Sequence, residues 1–146
     1  MSRLPVTLDE LETQLVQAVN SLDAGRGVNG ETVFRRLAGG SRKRVAEVIL
    51  ASGVEDELWA IWEHIAQDNP DAATQVVEAA YETFKTLAVT PGLGRLRKFR
   101  NSKLKGVRSW LVAGFDNYLI FYRAIPEGIE VLHVYHGARD IESLFG

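Results

Sequence analysis

A chain of 146 residues, 46% apolar and 25% charged, has the size and composition of one ordinary globular domain with room for an appended segment. Its net charge of −2 selects no class of partner, and the lack of cysteine excludes a disulfide framework, a thiolate nucleophile and thiolate zinc sites. Three scattered histidines, His64, His133 and His136, make a poor metal set, so neither a metal nor a cofactor is expected.

From the N-terminus, Leu8, Leu11, Leu15, Val19 and Leu22 recur at three- and four-residue steps, the stripe of a helix of about four turns. Thr7 can cap it, with Asp9 and Glu10 at the positive end of its dipole. The acids here stand where a signal peptide would be apolar, and no apolar run approaches the roughly 18 residues of a membrane span. A cytoplasmic protein is expected. "DAGRGVNG" breaks the chain, and Val33, Phe34 and Leu37 suggest a second short helix. Two helices this short are marginal alone, so both must dock onto something. Gly39-Gly40-Ser41 and the basic triplet Arg42-Lys43-Arg44 then read as a boundary, dividing the chain into residues 1–43 and 44–146.

Beyond the boundary, residues 45–51 read as a strand, and Val54, Leu58, Ile61, Trp62 and Ile65 as a helical stripe. Trp59 and Trp62 are expected in the core and at its edge. Asn69 as cap and Pro70 at the first helical position start a further helix running to about Ala88, which Thr90-Pro91 ends. Between Arg95 and Arg108 lie seven cations (Arg95, Arg97, Lys98, Arg100, Lys103, Lys105, Arg108) and no acid. With only Phe99 and Leu104 interleaved after Leu96, a solvated or protein-contacting loop is preferred to a nucleic-acid platform. Three alternating runs, 107–113, 118–124 and 129–135, are separated by "GFDN" and "IPEG". Strict alternation would put Arg108, Trp110 and Val112 on one face. The elements describe an α+β domain: a strand, two helices and a three-strand meander in one antiparallel sheet, with the helices on one face. His136 and Arg139 follow the last run; they could serve as a proton-transfer group and a charge stabiliser, or simply tie the strand end.

Residues 46–145 resemble the ParE branch of the ParE/RelE toxin superfamily, carried by "LGR" at 93–95, "YLIFYR" at 118–123 and "HGARD" at 136–140 in that order. The segment "LDAGRGVNGETVFRRLAGGSRKR" resembles the toxin-wrapping C-terminal half of a ParD-type antitoxin, without the ribbon-helix-helix half that commonly precedes it. The resemblance implies an antitoxin–toxin fusion: a toxin that inhibits DNA gyrase by binding, neutralised by its own tail. The tail would dock in cis, or by exchange between two chains as a homodimer, and strong autonomous DNA binding is not implied. Its contacts would be Leu11, Leu15, Val19, Val33, Phe34 and Leu37. Candidates for the target-binding surface are Arg95, Arg108, Arg123, His136 and Arg139, with no residue assigned as catalytic. The alternatives are a RelE-like ribosome-dependent mRNA endoribonuclease or a non-toxic interaction module. Against the ribonuclease, Leu119 stands where that branch typically carries an arginine, and Phe145 where it often has a tyrosine.

Overall fold

The computed structural model describes residues 7–36 and 43–145, with residues 31–36 and 43–45 described through their backbone alone. Helix α1 (Leu8–Asp23) begins as its sequence requires, with the Thr7 hydroxyl accepting the Glu10 amide at 3.1 Å. Strands β1 (Val28–Arg36) and β2 (Lys43–Leu50) follow, then helices α2 (Val54–Ala66) and α3 (Pro70–Val89). The Asn69 side chain accepts the Ala72 amide at 3.1 Å and caps α3. A two-residue strand β3 (Arg95–Leu96) precedes the meander β4 (Val107–Val112), β5 (Phe115–Ile125) and β6 (Gly128–His136), followed by a short helix α4 (Ala138–Glu142) and a single 3-10 turn (Ser143–Phe145).

The six strands form one sheet in the order β1-β2-β6-β5-β4-β3. The expected α+β class holds, but the sheet is mixed rather than antiparallel throughout, because β2 pairs parallel with β6. Gly128 makes this pairing possible: its φ is +157°, and a Cβ there would collide with the Glu47 backbone. The second helix expected around Val33 and Phe34 is instead β1, antiparallel to β2, with Val33 opposite Ala46 and Phe34 opposite Val45. The spacing of Val33, Phe34 and Leu37 suits a helix over a short window. β-branched and aromatic residues also suit a strand, and pairing with β2 decides between the two. Leu37 lies outside the described residues. The boundary expected at 43/44 falls at the start of β2, just after the segment that connects it to β1.

Both faces of the sheet are covered. Residues Tyr118 to Tyr122 of β5 are buried without a break, which a strand allows only when each face carries a layer. The adjacent residues Tyr135 and His136 identify the layers. Tyr135 bonds Gln14 of α1, whereas His136 lies 6.2 Å from the His64 ring on α2. Helices α2 and α3 therefore cover one face; α1, the turn at 102–104 and the C-terminal segment cover the other. Leu11, Leu15, Ala18 and Val19 of α1 are buried in the same core as Val48, Leu119, Phe121 and Val131.

Two expectations about single residues are corrected. A bulge between Leu111 and Val112 breaks the alternation of β4, so Val112 is buried while Trp110 is exposed. Trp59 is no core residue: it is 59% exposed and stacks on Trp62, whose indole N–H donates to Thr74 at 3.2 Å.

Candidate functional site

The basic loop is the floor on which α1 rests. Glu12, buried in the α1 interface at 8% exposure, accepts the backbone amides of Arg100 at 3.0 Å and Asn101 at 3.2 Å. Lys103 Nζ donates to Asn20 at 2.9 Å, and Arg100 lies 3.9 Å from Asp9. At the far end of α1, Asp23 meets Arg123 at 3.4 Å, while Arg123 Nε bonds Glu130 at 2.5 Å. An acidic helix thus lies along a basic surface, its apolar side inserted between the charges. The sequence leaves a solvated and a protein-contacting loop open together; Arg100 and Lys103 contact α1 of the same chain.

Arg97, which the sequence did not single out beyond its charge, is the best buried cation of the loop, with 4% of its side chain exposed. It bonds the Glu142 carboxylate, donates through Nε to Ser109 at 2.7 Å, and lies 4.5 Å from the centroid of Phe145. Phe145 also packs edge-on against Phe99, with 5.6 Å between centroids. These contacts fasten the end of the chain to the loop.

The "LGR" and "YLIFYR" motifs meet in space. The Tyr122 hydroxyl accepts the Gly94 amide at 2.8 Å and donates to the Pro91 carbonyl at 2.6 Å; Arg108 Nη1 donates to the Gly94 carbonyl at 2.7 Å. Burial pushes the Tyr122 pKa up, against the opposing effects of the Gly94 hydrogen bond and the Arg108 charge.

The five candidate target-binding residues do not form one site. Arg95 and Arg108 lie at the β3/β4 edge, with Arg95 4.0 Å from Glu142. Arg123 is bound up with Glu130 and Asp23. His136 sits at the opposite end of β5 from Arg123, exposed and stacked on Tyr118 at 5.2 Å. Arg139 is near it in sequence, exposed, and makes no ion pair among the described residues. Of the six candidate tail contacts, Leu11, Leu15 and Val19 are buried at the interface; Val33 and Phe34 are positions on β1.

A cluster that sequence reasoning missed joins three elements. Glu57 of α2 reaches past the end of the β2–β6 pairing, where its Oε1 accepts the Val134 amide at 2.9 Å and its Oε2 bonds His133 Nδ1. His133 Nε2 lies 3.0 Å from the Gln14 carbonyl oxygen, and the Tyr135 hydroxyl donates to the Gln14 side chain. Burial draws the His133 pKa down, but the bond to Glu57, its charge and the Gln14 carbonyl together outweigh that and leave it raised. Burial, seconded by the Glu57 charge, pushes the Tyr135 hydroxyl far up. The alternation of His133 with Tyr135 was legible; their partners, 76 and more residues away, were not.

A second surface feature is an open groove of about 470 Å³ between α2 and α3, lined by Trp59, Trp62, Val77 and Tyr81 together with Glu55 and Asp56. Among the described residues, no helix is long and apolar enough to cross a membrane.

Fold and surface together define a small α+β scaffold whose basic face is filled by an acidic helix of the same chain. The chain belongs to the family described as the ParE toxin of type II toxin-antitoxin systems, parDE, which matches residues 48–141. No curated protein matches. Among solved structures, a chain of the chromosomal ParDE TA system from P. aeruginosa is similar at 20% identity. The match covers 60% of this chain and 90% of that one, with a TM-score of 0.48; membership rests on the family match and not on this likeness.

Proposed function

We propose that this chain is a self-neutralised toxin: residues 44–146 are a ParE-type domain that inhibits DNA gyrase by binding it, and residues 1–43 are an antitoxin-like segment that covers it. The observation that carries this reading is the seating of α1, with Glu12 on the Arg100 and Asn101 amides and Asp23 on Arg123. An acidic amphipathic helix laid into an apolar, basic-rimmed surface is a recurrent mode of protein recognition. β1 adds the second element in the same manner, as a strand on the edge of β2. The family's match begins at residue 48, so both covering elements precede it.

Binding rather than RNA cleavage is favoured by the two positions that separate the branches. Leu119 is buried in the core, and Phe145 is engaged with Arg97, Phe99 and Phe121. Neither supplies a group that moves a proton or holds a phosphate. The docked segment belongs to the same chain; exchange of that segment between two chains would give a homodimer with the same contacts.

The test compares growth on expressing the full chain and residues 44–146, with folding of the truncated protein checked by circular dichroism. Growth arrest by the truncated protein alone is expected, together with inhibition of gyrase supercoiling in vitro. Ribosome-dependent mRNA cleavage would replace the gyrase reading, and a folded truncated protein silent in both assays would identify a non-toxic interaction module.

A further inference from the structure

His133 lies where α1, α2 and β6 meet, and both of its ring nitrogens face oxygen acceptors: Glu57 Oε2 at Nδ1 and the Gln14 carbonyl at Nε2, 3.0 Å away. A backbone carbonyl has no proton to give, and an ionised carboxylate only accepts. A neutral imidazole carries one N–H, so beside an ionised Glu57 it satisfies one acceptor and turns a lone pair toward the other. The imidazolium donates to both. Neither acceptor is free to turn away. The other oxygen of Glu57 is held by the Val134 amide, and the Gln14 carbonyl is fixed in the backbone of α1.

We propose that the Glu57–His133 pair is a proton-binding latch: with its proton in place it fixes α1 to the sheet, and loss of that proton loosens α1. The groups facing His133 are consistent with a single titrating unit. α2 presents Glu57, β6 presents the stacked ring of Tyr135 at 5.2 Å, and α1 presents the uncharged Gln14. Tyr135 stays a neutral donor throughout the relevant range, since burial raises its pKa.

The sign of the effect follows from the raised His133 value. The unfolded or undocked imidazole titrates near its ordinary value, so the latch contributes fully below about pH 6.5 and is lost as pH climbs through the raised value. Alkaline conditions therefore release α1, and acidic conditions hold it. The latch describes how α1 is held and stands apart from toxicity; that its release uncovers a gyrase-binding surface rests on the reading given above.

The experiment uses the full chain and measures amide hydrogen exchange between about pH 6 and pH 9, corrected for intrinsic exchange rates, with ring ¹⁵N shifts of His133 recorded alongside. Protection of the α1 amides is expected to fall with rising pH, by about tenfold for each unit that the folded pKa exceeds the free one. Amides of β5 should not follow it. In His133→Gln the α1 profile is expected to be flat. Should that variant not fold, Glu57→Gln keeps the ring in place and is expected to move its titration midpoint down. A flat wild-type profile, a fall that persists in His133→Gln, an unmoved midpoint in Glu57→Gln, or a neutral ring below pH 6.5 would each overturn the latch. Supercoiling assays on the same samples separate the two claims: pH-dependent loosening of α1 without gyrase inhibition supports the latch and counts against the neutralised toxin.

Discussion

Gly94 and Tyr122 hold each other in place across 28 residues of chain. The Gly94 amide donates to the Tyr122 hydroxyl at 2.8 Å, and a Cβ at position 94 would run into the tyrosine ring. The glycine of "LGR" is thus required by close approach, and the last tyrosine of "YLIFYR" by the backbone groups it serves. Gly94→Ala is expected to destabilise the fold by about 1–3 kcal/mol through overpacking. Tyr122→Phe is expected to cost about as much, by leaving the Gly94 amide without its partner. Urea unfolding followed by tryptophan fluorescence checks both, and an unchanged midpoint for Tyr122→Phe would remove the hydroxyl from this role.

The acids of α1 should differ sharply in weight. Glu12 is buried on two amide donors, so Glu12→Ala strands both and is expected to cost about 1–3 kcal/mol. Asp9 faces Arg100 with 81% and 83% of their side chains exposed, and Asp9→Ala should be close to neutral. Limited proteolysis within residues 24–27 reads the loosening of α1 directly. Equal effects for the two substitutions would count against an anchoring role for Glu12.

Glu142 is the acceptor for a nearly buried guanidinium, although 39% of its own side chain is exposed. Glu142→Ala leaves Arg97 with the Ser109 hydroxyl and the face of Phe145. A loss of roughly 1.5–3 kcal/mol is expected, as for a hydrogen bond to a charged group. A double-mutant cycle with Arg97→Met isolates the pair, and a coupling near zero would reduce it to a surface contact.

Trp59 supplies the contrasting case. Its indole is mostly in solvent, so Trp59→Ala should shift stability by no more than about 0.5 kcal/mol while removing red-shifted emission. A cost above about 2 kcal/mol would restore it to the core.

Periodicity located α1, α2, α3 and the meander because each of those signals is local. The stripe from Leu8 to Leu22 and the Asn69-Pro70 start needed nothing beyond their own neighbours. β1 was misread for the opposite reason: Val33 and Phe34 carry no decisive period in so short a window, and the edge of β2 selects the strand. Likewise, nothing near Val112 announces the bulge that moves it into the core. The motifs marked the family without marking a site, since "LGR" and "YLIFYR" fasten a loop whereas "HGARD" starts at the exposed last residue of the otherwise buried strand β6. The Glu57, His133 and Gln14 cluster could not be read at all, because its members meet only when three distant elements have assembled.

The parallel contact between β2 and β6 sets an order of events during synthesis. The centre of the sheet lacks β6 until residues 128–136 have been made, whereas α1 and β1 are complete by residue 36. At ribosomal speeds of about 5–20 residues per second, α1 precedes β6 by roughly 5–20 s, whereas β1 finds its own partner β2 almost at once. Every newly made copy therefore carries α1 before it carries the strand that α1 packs against. No stage of synthesis leaves a finished domain waiting for a helix still to be translated.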